Sequence, residues 1–189
     1  FMYIDVSEQV RAAIVYDGQV AQGPLFQNND IGHMIIDRNG PKCTCGRRGC
    51  LEAFASMTAI IKKLVNKQSE LKAEVQNAER SLKRVDSDYV IKRANEDDGP
   101  IREIISEAAE ALCIGILNFS SIFNIRNVVI GGKIRRINYF ADLLLAASNK
   151  FGFSEDMGIV VKMATSADES INMGNGAIVL NSFFDKMGG

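Results

Sequence analysis

The sequence predicts a mixed α/β domain, a sheet flanked by helices, on three observations. Two apolar runs, residues 1–6 and 11–16, are followed by Asp17-Gly18, a hairpin dipeptide, so the chain opens on antiparallel strands. Apolar residues then recur at helical spacing in long stretches from residues 51 and 101. Finally, Asn127-Val128-Val129-Ile130-Gly131-Gly132 is a continuous apolar run of the kind covered by helices on both faces. Strands alternating with helices after an antiparallel opening place the chain in the α/β class.

In chain order, residues 19–22 form the returning strand, and Pro24 ends that pairing. Residues 26–30 lead into a loop with a short strand at 34–36. Leu51, Phe54, Met57, Ile61 and Leu64 fall at steps of three and four, the apolar face of one helix of roughly four turns. Residues 67–84 are mostly charged and polar and read as a solvated helix or helical hairpin, weakly anchored by Leu71, Val75 and Leu82. Asp97-Asp98-Gly99-Pro100 is a helix start, with acids that complement the dipole and a first-turn proline. Ile101, Ile104, Ile105, Ala108, Leu112, Ile116 and Phe119 trace its buried face, and Cys113 reads as a small core residue within it. A helix at 138–149, a strand at 159–163 and a last helix at 174–184 complete the reading.

Chemistry concentrates between residues 30 and 52. His33 is the only histidine, and Cys43, Cys45 and Cys50 are three of the four cysteines. Three thiolates and an imidazole satisfy a tetrahedral zinc ion and leave no position for a water, so the predicted site is structural. Gly46 and Gly49 can adopt the backbone conformations that wrap a short loop around an ion. Arg47 and Arg48 lie inside the loop, where positive charge favours thiolates. The competing readings are ordinary reduced cysteines or a Cys43–Cys50 disulfide, which would leave an odd cysteine beside it.

Composition bounds the rest. At 189 residues and 47% hydrophobic, the chain fits one domain or one lobe of a bilobal protein. A net charge of −1 argues against broad nucleic-acid binding by this segment. No run reads as apolar and long enough to cross a membrane, no signal peptide is visible, and the expected compartment is the cytoplasm.

With these motifs placed, the chain resembles the ROK family (repressors, open reading frames and sugar kinases). The family pattern is E-x-G-H followed by C-x-C-G-x-x-G-C-x-E. Asp30-Ile31-Gly32-His33 matches the first part with Asp for Glu, and Cys43-Thr44-Cys45-Gly46-Arg47-Arg48-Gly49-Cys50-Leu51-Glu52 matches the second at every specified position. Val128-Val129-Ile130-Gly131-Gly132 resembles the family's I-V-I-G-G strand, and Gly174-Asn175-Gly176-Ala177 its late glycine-alanine helix start. The resemblance implies an actin-like, ribonuclease-H-like two-lobed ATPase fold. Residues 1–189 would be its C-terminal lobe, with the N-terminal lobe and any DNA-binding domain outside this chain. The kinases' D-x-G-G-T phosphate loop, and the N-D pair that holds their catalytic base, would precede Phe1. Where those kinases carry a glycine-rich phosphate turn, this chain has Ser7-Glu8-Gln9-Val10-Arg11, bulkier and with a negative charge. Gly131 and Gly132 would be a vestigial nucleotide site, with ATP and magnesium not expected to bind.

The resemblance therefore implies a non-catalytic, sugar-sensing effector domain of a transcriptional regulator, akin to N-acetylglucosamine or glucose repressors. Its expected ligand is a sugar or sugar phosphate, met by Asp30, His33 and Glu52. His33 would bind zinc through one ring nitrogen and a sugar hydroxyl through the other. A homo-oligomer is expected, touching DNA only through an upstream domain. The alternatives are the C-terminal lobe of an ATP-dependent hexose or N-acetylhexosamine kinase, and a protein-interaction module that has lost sugar affinity.

Overall fold

The computed structural model describes residues 1–16, 19–21, 31–74, 85–96, 99–152 and 158–164. The opening runs form β1 (Met2–Val6) and β2 (Val10–Tyr16), antiparallel with Val6 opposite Val10 and Met2 opposite Ile14. β3 (Gln19–Val20) continues the meander and ends before Ala21, while Gln22 of the expected strand lies outside the described residues. The apolar run becomes β4 (Asn127–Gly131), parallel to β1, and β5 (Val160–Met163) lies parallel to β4. The order is β3-β2-β1-β4-β5, a mixed sheet as predicted.

Alternation along the central strands sorts side chains between two faces. Met2, Ile4 and Val6 join Val128 and Ile130 in the main core beneath the helices, while Tyr3 and Val129 face the other way with Val15 and Ala164. The glycine pair closing β4 has packing reasons. A Cβ on Gly131 would overlap the Tyr3 hydroxyl, and one on Gly132 (φ 81°) would stand 2.7 Å from the Val6 backbone.

The helix after the cysteines departs from prediction. The expected single helix is broken into α1 (Glu52–Ala55) and α2 (Met57–Glu74) at Ser56, whose ψ of 152° is extended. Ser56 Oγ accepts from Ala59 N at 3.1 Å and caps α2, and the Met57 amide donates to Ser7 O at 2.8 Å. The break rotates the apolar face, so Ile60 is fully buried and Ile61 only partly. Residues 75–84, the rest of the solvated stretch, lie outside the described residues.

An unanticipated helix follows, α3 (Ser87–Glu96), burying Val90, Ile91 and Ala94. Asp86 caps it, its Oδ1 accepting from Tyr89 N at 2.9 Å. The long helix is α4 (Pro100–Phe123), starting on Gly99-Pro100 and ending at left-handed Asn124. Its predicted face is buried except for Phe119, which is half-buried and stacks on Phe123 at 4.4 Å between centroids. By length and composition α4 could cross a membrane, which corrects the expectation that no run could. Here it is a core helix, with Glu103 and Glu107 paired to Lys67 and Lys63 of α2. α5 (Phe140–Lys150) packs against it, and buried Cys113 donates to Leu144 O at 3.5 Å. The final helix expected at 174–184, with Gly174-Asn175-Gly176-Ala177, lies outside the described residues.

Candidate metal centre and adjoining cavity

The cysteine run folds as a knuckle rather than with the strand expected at 34–36. Two isolated antiparallel bridges, Ile35 with Cys50 and Lys42 with Arg48, close it. Both glycines have positive φ, 89° at Gly46 and 72° at Gly49. Gly46 turns the tip, where Cys43 N donates to Arg47 O at 2.8 Å and Gly46 N to Cys43 O at 3.1 Å. Gly49 is where the strands press together, since a Cβ there would overlap the Asp37 carbonyl.

This folding brings four of the predicted residues to one point. The ligand atoms of His33, Cys43, Cys45 and Cys50 all lie within 4.8 Å of one another, and all four cysteines are free thiols. Cys45 Sγ is 3.7 Å from Cys50 Sγ, and His33 Nδ1 is 3.7 Å from Cys43 Sγ. Ordinary zinc bonds imply a tetrahedral edge of about 3.8 Å between sulfurs and about 3.6 Å between sulfur and nitrogen. The donor set thus fits a four-coordinate ion held by His33 Nδ1 and three sulfurs. Such a group would supply positive charge and a cross-link. His33 Nε2 has no partner among the described residues.

Electrostatics divides the thiols. Arg47 Nε donates to Cys45 Sγ at 3.4 Å, and this guanidinium draws the exposed Cys45 thiol down to about 6. Burial, reinforced by the neighbouring sulfurs, pushes Cys50 up to about 12. Packed without a cation, the cluster resists carrying three negative charges together. Arg48 plays a different part from the one expected, its guanidinium bracing the knuckle by donating to Gly40 O at 3.2 Å.

Glu52 stands beside this knuckle. Its Oε2 accepts from Val10 N at 3.3 Å, and its other carboxylate oxygen has no donor among the described residues. Gly32 must be glycine here, because a Cβ would overlap Val10 O and approach Glu52 Cβ at 3.3 Å. Glu52 also lines a cavity of about 430 Å³ between the knuckle, the β1–β2 turn and α2. His33 is not among its lining residues, and Asp30 lies outside the described residues, so the predicted trio is not seen on one surface. The sequence reading missed Lys42, Lys62 and Thr58, which line the same cavity. Helical periodicity marks only the buried side of α2, so it gave no signal for Lys62 or Thr58, and Lys42 reaches the cavity only through the folding of the knuckle.

The β1–β2 turn is tied to the end of β4. Lys133 N donates to Ser7 Oγ at 3.2 Å, the Lys133 ammonium pairs with Glu8, and Ser87 Oγ donates to Glu8 at 3.1 Å. Ser7 N donates to Gln9 O at 3.0 Å.

Known proteins resemble this chain in sequence and in fold. The chain is 33% identical over 150 residues to the xylose repressor of Caldicellulosiruptor bescii, covering 76% of this chain and 35% of that protein. It is 34% identical over 125 residues to the glucokinase of Thermotoga maritima, covering 63% and 39%. The chain therefore spans little more than a third of the length of these relatives. The crystal structure of the ROK hexokinase from Thermus thermophilus superposes with a TM-score of 0.69 at 24% identity, over 89% of this chain and 52% of that one. That likeness shows the expected actin-like fold. The ROK family pattern itself matches residues 1–182, and the chain belongs to the ROK family.

Proposed function

We propose that the chain is the C-terminal lobe of a sugar-sensing, non-catalytic effector domain in a cytoplasmic ROK transcriptional regulator. DNA contact and the other lobe would come from segments outside this chain, and the regulator would act as a homo-oligomer. One observation supports the reading over a kinase: three of the donors at the two facing turns are engaged within the protein. The Lys133 amide is spent on Ser7, the Lys133 ammonium on Glu8, and the Ser7 amide on Gln9 O. A phosphoryl-transfer site needs such groups free and aimed at ligand oxygens. Similarity to a xylose repressor supports the same conclusion.

The sensing chemistry follows from the knuckle. Zinc held by His33, Cys43, Cys45 and Cys50 would fix the tautomer of His33 and leave Nε2 as a directed donor to a hydroxyl. Glu52, steadied by the Val10 amide, would accept from a second hydroxyl through its free oxygen. Asp30 would add a further acceptor. Such a site selects by leaving unmatched polar groups unpaired when the wrong sugar enters.

A second reading, a hexose kinase lobe, is favoured by the likeness to a glucokinase. Coupled ATPase assays of the intact protein with hexoses and pentoses, alongside calorimetry with the same sugars, separate the two. Sugar binding without ADP formation is expected. Sugar-dependent ADP formation that survives repurification would overturn the regulator reading.

A further inference from the structure

We propose that Cys45 and Cys50 are a redox pair: a hydroperoxide oxidises Cys45, Cys50 closes a disulfide onto it, and the knuckle thereby releases its metal. The inference rests on the zinc reading of the knuckle and not on the sugar. Exposure singles out the first sulfur. Of the four cysteines only Cys45 is exposed, whereas Cys43, Cys50 and Cys113 are buried. Metal ligation holds a thiol as thiolate, the form that attacks a peroxide. Arg47 Nε donates to the same sulfur at 3.4 Å, so a cation stands beside the atom where the reaction starts.

Distance singles out the second sulfur. Cys45 Sγ lies 3.7 Å from Cys50 Sγ and a disulfide spans about 2.05 Å, so closure takes about 1.7 Å of movement. The two ends of that gap differ in freedom. Cys50 is fixed: it is fully buried, bridges Ile35, and follows Gly49, which is pressed against the Asp37 carbonyl. Cys45 sits at the tip beside Gly46, around which a Cβ would meet nothing within 4 Å, so the tip has room to swing inward. Cys43 is held apart from this motion, with its sulfur 3.7 Å from His33 Nδ1 and its amide tied to Arg47 O. Cys113 stands outside the cluster, on α4 with its thiol on Leu144 O.

The chemistry balances in two steps. The Cys45 thiolate attacks one peroxide oxygen: the O–O bond breaks, an S–O bond forms, and the departing hydroxide or alkoxide is protonated by water. The Cys50 thiolate then attacks the Cys45 sulfur, forming the S–S bond and breaking the S–O bond, and the hydroxide released is protonated in turn. The two sulfurs together lose two electrons, and the peroxide gains them. His33 and Cys43 alone remain as ligands, half of a tetrahedral set, which is too few to retain the ion.

The test treats intact, zinc-loaded protein with hydrogen peroxide and follows zinc release with a chromogenic chelator. Trypsin cuts after Arg47 and Arg48, so Cys45 and Cys50 fall on different peptides, and their disulfide is read as a cross-linked pair that still carries an alkylatable Cys43. About one zinc per chain should be lost for each such cross-link, and a dithiol with added zinc should restore the starting state. Cys45→His keeps four zinc-binding side chains without the exposed thiol, and its zinc should outlast that of the wild type under the same peroxide. Equal loss from the two proteins would overturn the role of Cys45. Zinc loss with Cys45 oxidised only to a sulfinic or sulfonic acid, or with a cross-link through Cys43 or Cys113, would overturn the pairing. So would zinc retained while the peroxide oxidises a free thiol in the same tube. Wild-type protein that binds no zinc would overturn the metal reading together with the proposal, which keeps the two failures distinct.

Discussion

Substituting the two positive-φ glycines of the knuckle separates backbone strain from steric exclusion. Gly46 and Gly49 both lie in the left-handed region, at 89° and 72°. An L-residue there costs about 1–2 kcal/mol. Around Gly46 a Cβ would meet nothing within 4 Å, so Gly46→Ala should cost only that amount. At Gly49 the Cβ would overlap the Asp37 carbonyl, which cannot retreat freely because Gly40 N donates to it at 3.0 Å. Overpacking of this kind adds about 1–3 kcal/mol. If the loop closes around its metal, the strain appears as lost metal affinity. Gly46→Ala should then weaken zinc binding roughly 5- to 30-fold, and Gly49→Ala roughly 30- to 4,000-fold. Competition with a chromogenic chelator measures both. Equal losses in the two variants would refute the steric argument, and wild-type protein that binds no zinc would refute the site.

Three other substitutions and treatments probe the scaffold. Gly131→Ala should destabilise the fold by about 1–3 kcal/mol in urea titrations, with partial recovery on adding Tyr3→Phe, because the clash begins at the Tyr3 hydroxyl; a wild-type midpoint for the single variant would refute it. Burial, with Glu110 nearby, pushes Cys113 up to about 12, so at pH 8 only about one thiol in ten thousand is ionised. Iodoacetamide should therefore label Cys113 only after unfolding, and rapid labelling of native protein would count against its core role. The Lys133 ammonium holds Glu8 below its ordinary 4.5, so this pair's contribution is fully present above about pH 4.5 and is lost as pH falls through the lowered folded value. The pair is solvent-screened and worth about 0–1 kcal/mol, so the stability gap between wild type and Glu8→Gln should be small at pH 7 and shrink as pH falls below about 4.5.

The sequence made legible whatever was written in local chemistry or in one clean period. The His33, Cys43, Cys45 and Cys50 cluster could be read because four soft or borderline donors are rare and close in sequence. β1, β4 and the buried face of α4 could be read because their apolar patterns match elements covered by others. The break at Ser56 was hidden by its neighbours: Leu51, Phe54, Met57 and Leu64 keep a helical step across it, and only the tertiary bond from the Met57 amide to Ser7 O shows where the chain turns. α3 was missed although Asp86 is a good cap, because its buried stripe of Val90, Ile91 and Ala94 is narrow and charged residues surround it. The cavity was not legible at all, since Lys42 and Lys62 become neighbours only when the knuckle folds against α2.

The knuckle also reaches beyond its own loop. Cys50 is followed directly by Leu51, fully buried and packed closely on α4: a Cβ on Gly115 would stand 2.7 Å from Leu51 Cδ2. Glu52 comes next and accepts the Val10 amide, while Gly32, one residue before His33, presses under the Val10 carbonyl. Both ends of the ligand set therefore converge on one residue of the sheet, and the metal would act as a clasp on the start of β2. Removing it should loosen this corner while sparing the sheet centre. Hydrogen exchange with and without chelator measures the difference, since local opening reports local stability. The Val10 amide should lose protection on zinc removal, and the amides of Val129 and Ile130 in β4 should keep most of theirs. Unchanged protection at Val10 would mean that Glu52 and Gly32 hold their places without the ion, and the clasp would be confined to the knuckle itself.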